Sequence, residues 1–255
     1  MTQSHTISLD GKVAFVSGAS KGIGVVIAEV LANAGADLAL TARNEEELEQ
    51  TAESVRKVGS RVWTKTAEMA DSDDVKALGK ATLAEFGHID ILVNNAGLTI
   101  PQPFLEIEVD AFHTTINVNL LAPLLLTQAF APGMIERGHG KIINISSRGA
   151  IRAFHGGGVY SASKAGLQLL TQTMALEFGP HNIQANCLAP TVTNTPMGAM
   201  AWPPSPRTDA KLSRIPAGHF AEPMDVAGAV LFLASSQSDF INGVELPIDG
   251  GEGGS

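Results

Sequence analysis

VAFVSGASKGIGVVIAEVLANA, residues 13–34, passes from a short apolar run through a glycine turn into an amphipathic pattern. Val13–Ser17 reads as a buried strand and Gly22–Ala34 as a helix, with Gly18-Ala19-Ser20-Lys21-Gly22-Ile23-Gly24 between them. Glycine lets backbone approach a ligand closely, and a helix N-terminus offers free N–H groups and partial positive charge to a phosphate. The spacing is GxxxGxG rather than the GxGxxG of the standard dinucleotide turn, and the same glycines would also serve to pack helix on strand. The strand–turn–helix context favours a nucleotide site, with Gly18, Ser20, Lys21, Gly22, Ile23 and Gly24 as its candidates.

The same alternation continues outward. Leu38–Thr41, Val62–Thr66, Ile89–Asn94, Lys141–Ser146, Ile183–Leu188 and Val244–Ile248 read as further strands. The segments 45–58, 73–86, 111–135, 160–178 and 224–234 read as helices. Such a rhythm implies a parallel sheet with helices on both faces. No linker or internal repeat divides the chain, so residues 1–255 are expected to form one doubly wound α/β domain with a seven-stranded sheet.

Composition narrows the function. The chain has 255 residues, 44% of them hydrophobic, and a net charge of −9 with scattered basic residues. That balance argues against nucleic acid or an anionic membrane as partner. The single cysteine, Cys187, allows no internal disulfide; it reads as a core residue in a reducing, cytoplasmic protein. The first ten residues, MTQSHTISLD, lack the basic and apolar regions of a signal peptide. Leu120–Ile135 is shorter than the roughly 20 residues that span a bilayer, contains two prolines, and reads as a buried or interface helix.

The chemistry concentrates in GKIINISSRGAIRAFHGGGVYSASKAG, residues 140–166. Ser147 follows a strand, and Tyr160 and Lys164 stand four apart on one face of a helix. A hydroxyl, a phenol and a cation at a strand end suit proton transfer at a carbonyl or alcohol oxygen. Asn94-Asn95-Ala96-Gly97 ends the fourth strand; its amides can lock neighbouring loops, and its small pair leaves room for a flat ring. Asn117 and Asn119 interrupt an apolar run, and buried amides require partners. At the end of the second strand, an acid would hold the adenosine ribose hydroxyls and repel a 2′-phosphate. Ala42 and Arg43 stand there instead, so Arg43, helped by Lys21, is expected to favour NADP(H) over NAD(H).

Together these pieces resemble the short-chain dehydrogenase/reductase family. The resemblance rests on SGASKGIG (17–24), NNAG (94–97), VNLLAP (118–123), NISS (144–147), YSASK (160–164), NIQANCLAPT (182–191) and LPIDGG (246–251), in that order, and covers nearly the whole chain. It implies a Rossmann-type domain and a catalytic tetrad of Asn119, Ser147, Tyr160 and Lys164. Tyr160 would exchange the proton, Ser147 would steady the oxygen, and Lys164 would lower the phenol's pKa and bind the nicotinamide ribose. Asn119 would hold a water in a proton relay. The cofactor contacts it implies add Glu68, Met69, Asn95, Ala96, Gly97, Pro190, Val192 and Thr195. No metal is expected. Two departures stand near the cofactor: Glu68 replaces a common Asp, and Thr191 replaces a common Gly.

Selectivity is expected from a loop, 148–159, and a lid, 196–215. Candidate substrate contacts are Arg148, Phe154, His155 and Trp202, and the glycines 156–158 suggest a mobile loop. Trp202 would either cover the pocket or anchor the lid. Segments such as PTVTNTPMGAMAW and MIERGHGKIINISS resemble the sugar and dicarbonyl reductases of the family, of the L-xylulose reductase and gluconate 5-dehydrogenase kinds. They imply a ketone–secondary alcohol oxidoreductase for a small sugar, polyol or dicarbonyl. The alternatives are a 3-oxoacyl thioester reductase and a non-catalytic nucleotide-binding sensor or scaffold. The long helices resemble those of family tetramers, so a homotetramer or dimer is expected.

Overall fold

A computed structural model describes residues 7–254. The first six residues lie outside it, and with them most of the stretch read as lacking a signal peptide. Seven parallel strands form one sheet: β1 (Val13–Ser17), β2 (Asp37–Ala42), β3 (Val62–Thr66), β4 (Ile91–Asn94), β5 (Gly140–Ile145), β6 (Ile183–Pro190) and β7 (Glu245–Ile248). Their spatial order is β3-β2-β1-β4-β5-β6-β7. The chain therefore winds outward from β1 in one direction, crosses back to β4, and winds outward in the other. The crevice beyond the C-terminal ends of β1 and β4 is where such a sheet binds ligands.

Helices cover both faces: α1 (Ile23–Asn33), α2 (Glu45–Lys57), α3 (Ser72–Phe86), α4 (Val109–Ile116), α5 (Ala122–Arg137), α6 (Gly158–Phe178), α7 (Pro196–Ala201), α8 (Pro206–Leu212) and α9 (Pro223–Ala234). Because β1, β4, β5 and β6 are buried on both faces, their sequences are continuous apolar runs rather than alternating ones. One core layer joins Val16, Ile27, Leu31, Leu40 and Val230; the other joins Phe15, Leu78, Leu92, Leu126 and Phe130. Local signals agree with these elements. Asn44 caps α2 by accepting from Glu47 N at 3.1 Å, three glutamates open that helix, and Arg56 and Lys57 close it.

Two regions differ from the sequence expectation. The helix read as continuous over 111–135 is α4 and α5 joined by a π-helical turn, Asn117–Leu121, where Ala122 N reaches back to Asn117 O. One extra residue in that turn shifts the helix face, a device found at functional sites. With α4, the helix runs 29 residues and is long and apolar enough to cross a membrane, yet half of its most apolar window is buried inside this domain. Leu126, Phe130 and Met134 pack into the second core layer, which accounts for the apolar run within the chain itself. The lid holds two short helices, α7 and α8, each with proline at its start and a hydroxyl cap, Thr195 or Ser205.

Phe130 tests this packing. It is fully buried, with its ring 5.2 Å from that of Phe15. Phe130→Ala should lower the unfolding free energy by about 3–5 kcal/mol in urea titrations; a loss below about 1 kcal/mol would contradict the core described.

Candidate active site

Ser147, Tyr160 and Lys164 meet beyond the end of β5. Ser147, in extended backbone, caps a single 3₁₀ turn by accepting from Gly149 N at 2.9 Å. Its hydroxyl shares a hydrogen bond with the Tyr160 phenol. Lys164, one helical turn on, is buried; its ammonium lies 5.9 Å from the Tyr160 ring and donates to Ile145 O at 2.7 Å. Burial drives the ammonium down to about 8. Burial also raises the phenol above its ordinary value, and the Ser147 bond offsets part of that rise. The lowering expected from Lys164 is thus absent: the ammonium is turned to a carbonyl, and desolvation of the phenolate dominates. At neutral pH the phenol keeps its proton.

Asn119 is placed by the π-helical turn and is fully buried. Its Oδ1 accepts from Leu98 N, and its Nδ2 donates to Leu98 O and Ser163 Oγ, at 2.9, 2.9 and 3.0 Å. The side chain therefore pairs with the turn after Gly97 as a strand neighbour would. Ser163 in turn donates to Tyr160 O at 2.7 Å, a link the sequence did not single out. Asn117 is also satisfied, by Ala70 O at 3.0 Å.

The glycine turn forms a tight cradle beside this group. Gly18 and Gly22 have φ of 67° and 57°, open to glycine without strain. A Cβ on Gly24 would lie 2.1 Å from Gly18 O, so the helix start presses on the turn and leaves its N–H groups exposed to the crevice. Ser20, Lys21 and Ile23 lie in that turn. Asn95 Nδ2 donates to Ser17 O and Gly18 O, while Ser17 Oγ accepts from the backbone of Asn95 and Ala96. The Asn95 amide thus locks the end of β4 to the glycine turn. A Cβ on Gly97 would come within 3.2 Å of Lys164 Nζ, so a side chain there would press on the ammonium.

These donors and this cradle fit a dinucleotide. Val192 and Thr195 line a cavity of about 320 Å³ with Asn194, Trp202 and Phe220. Thr195 caps α7, and Pro190 ends β6. Beyond the adenosine end, Arg43 is largely exposed and 3.8 Å from Glu68, and Lys21 pairs with Glu47 at 2.6 Å. Both cations expected at a 2′-phosphate thus have carboxylate neighbours.

One expectation needs correction. Arg148 is buried and ion-paired with Asp249 at 3.0 Å and Glu245 at 3.8 Å, so it ties β5 to the end of the chain instead of facing substrate. Met69 packs its side chain into the core. His155 is exposed, whereas Phe154 lies edge-on to Tyr160, ring centroids 6.0 Å apart. Within the glycine run, Gly157 follows from that packing, because a Cβ there would fall 2.4 Å from the Phe154 ring, and Gly156 has a φ of 75°. Trp202 lines the cavity and also stacks under Arg207, 4.5 Å away. Among the described residues no group of His, Cys, Asp and Glu is arranged to hold a metal.

Comparison with known proteins agrees with this geometry. Residues 18–252 match a family model described as enoyl-(acyl carrier protein) reductase. L-xylulose reductase from Mus musculus is 41% identical over 246 residues, 96% of this chain and 98% of that one. D-threitol dehydrogenase from Mycolicibacterium smegmatis is 39% identical, with 98% of each chain covered. The structure of a gluconate 5-dehydrogenase from Burkholderia cenocepacia, in complex with NADP and tartrate, superposes with a TM-score of 0.92 at 37% identity and 98% coverage of each chain. With a seven-stranded parallel sheet and these relatives over nearly its whole length, the chain is an oxidoreductase of the short-chain dehydrogenase/reductase family.

Proposed function

We propose that the protein is an NADP(H)-dependent enzyme interconverting a small polyhydroxy ketone and its secondary alcohol. The observation that carries this reading is the Tyr160 phenol hydrogen-bonded to Ser147, with the buried Lys164 ammonium one helical turn on. When bound, the nicotinamide cofactor supplies or accepts the hydride. In reduction, Tyr160 gives its proton to the carbonyl oxygen, and Ser147 donates a hydrogen bond to that oxygen as negative charge grows on it. Lys164, half-way between charged and neutral near pH 8, replaces the proton that Tyr160 loses and holds ribose hydroxyls. Asn119 keeps Gly97 and Leu98 clear of that ammonium. Gly18, Ser20, Lys21, Gly22, Ile23 and Gly24 hold the phosphates, and Ala96, Gly97, Val192 and Thr195 hold the nicotinamide end.

The names of the relatives, acting on xylulose, threitol and gluconate, support a sugar or polyol. For the cofactor, Arg43 and Lys21 support a 2′-phosphate, because exposed ion pairs of the Lys21–Glu47 kind are weak and a phosphate dianion competes with them well. Phe104, Leu105, Val109, Phe112, Leu169 and Leu176 remain exposed on or near α4 and α6. Their apolar surface supports assembly into a dimer or tetramer through these helices.

A panel of ketoses, sugar acids, dicarbonyls and a 3-oxoacyl thioester, each with NADPH and NADH, tests the reading. A small polyhydroxy ketone should react fastest, and Tyr160→Phe should lower kcat by about 10²–10⁴ while NADPH still binds; preference for the thioester, or normal turnover by the variant, would overturn it. Arg43→Ala should raise KM for NADPH by about tenfold and leave NADH nearly unchanged, consistent with one charge-assisted contact. Equal effects on both would remove Arg43 from phosphate recognition. Lys164 offers a check without substrate. The folded chain releases its proton near pH 8 and the unfolded chain only above 10, so between these values the unfolded state binds more protons and stability rises with pH. Relative to Lys164→Met, the wild type should gain about 2 kcal/mol in urea titrations between pH 7 and pH 10.

A further inference from the structure

Glu252 carries a carboxylate that is only 2% exposed, far from the tetrad in sequence and absent from the chemistry described so far. Its Oε2 accepts from Thr191 Oγ1 at 2.6 Å, immediately after β6 and Pro190. Its Oε1 pairs with Lys211 Nζ, on α8 of the lid. Arg152, in the loop between Ser147 and Tyr160, lies near enough for its charge to act on the same carboxylate. Burial alone would raise this acid, yet Lys211, Thr191 and Arg152 together hold it below the usual carboxylate value.

The turn around it touches the same three segments. Asp249 pairs with Arg148, next to the catalytic serine. Gly250 O accepts from Ala217 N at 3.1 Å, and Gly250 and Gly251 pack on Ile215, Pro216 and Ala217, where the lid returns to the body. Gly253 N donates to Asp249 Oδ2 at 2.9 Å, which closes the turn on itself. A purely structural ion pair would join framework elements, and replacing it with apolar groups is often neutral. Here Thr191, Lys211 and Arg152 lie on three segments bordering the site: the strand end at the nicotinamide, the lid helix, and the loop that packs Phe154 on Tyr160. Thr191, the residue that departs from the family's glycine, supplies the hydroxyl that this carboxylate accepts.

We propose that Glu252 is a positioning residue for substrate binding: through Lys211 and Thr191 it fixes the lid over the crevice, and so sets the affinity for substrate without touching it. The kinetic part rests on the carbonyl reading above; the structural part does not.

Glu252→Gln keeps the size and still accepts from Thr191 but loses the charge, and Lys211→Met removes the partner. Amide hydrogen exchange over residues 203–216 should quicken by about tenfold in either variant, as expected for loss of one charge-assisted bond. KM for the best ketone should rise by about tenfold, with kcat and NADPH affinity within about twofold. The double variant should be no worse than either single one, because both remove the same link. Wild-type exchange in both single variants would overturn the proposal. So would multiplying effects, or a lower Tm with KM unmoved. Should Glu252→Gln not fold, Lys211→Met alone carries the exchange and KM readings. If no ketone is turned over, the exchange and the cycle still decide the role of Glu252, whereas that outcome removes only the carbonyl reading.

Discussion

A charged amine held away from water against one carbonyl oxygen is the constraint that the rest of this site answers to. Lys164 Nζ lies 2.7 Å from Ile145 O, and burial lowers its pKa to about 8. Taking an ammonium out of water destabilises a fold unless neighbours are arranged for it. The neighbours are arranged so. β5 ends with Ile145, leaving that carbonyl to accept, and Ser146 Oγ donates to Lys164 O at 3.3 Å to hold the helix against the strand end. Gly97 gives up its side chain to make room, and the Cys187 thiol, pushed up to about 12, stays neutral in the same interior. A stability cost accepted at one spot, with several residues adapted to it, is the pattern of a working site.

Amides carry the positioning. Asn95 ties β4 to the glycine turn, Asn119 ties the π-helical turn to Leu98, and Asn94 donates to Asn144, which donates to Thr171 on α6, each at 2.7 Å. The Asn95 and Asn119 side chains imitate backbone groups where no ladder holds the chain, while Asn94 and Asn144 bridge neighbouring strands within the ladder. The reacting groups are thereby mounted on the rigid sheet, which favours a fixed geometry. The lid is attached differently, by short capped helices and by ion pairs at its edges. Rigid chemistry and an adjustable cover are thus separated within one domain.

The inner strands were legible because burial on both faces writes them as apolar runs, and β1 falls on the residues expected, Val13–Ser17; the half-buried β3 also falls on the expected Val62–Thr66. Ser147, Tyr160 and Lys164 were legible because helical spacing and a strand end bring them together. The π-helical turn was not, since NVNLL has the composition of ordinary helix and one extra residue per turn leaves no mark in it. The lid helices did have a signal, Thr195-Pro196 and Ser205-Pro206, in which a hydroxyl cap precedes proline. Arg148 was misread for a deeper reason. A loop position beside a catalytic serine predicts access to substrate, but its partner, Asp249, lies about a hundred residues on, and tertiary pairing is not written locally.

The same limit bears on cofactor choice. Reading Arg43 and Lys21 as free cations overstates their pull, because Glu68 and Glu47 stand beside them. What distinguishes a 2′-phosphate from a hydroxyl here is whether a dianion competes for those cations better than a carboxylate does. Both pairs are well exposed, so water already screens them and little is lost when they open. A phosphate brings more charge than either carboxylate and accepts from a guanidinium in bidentate fashion. On the proposed NADP(H) reading, the two glutamates would repel a phosphate bound in their place, which moderates the preference. Selectivity on that reading is a difference between two pairings of the same cations, and it weakens as salt screens both.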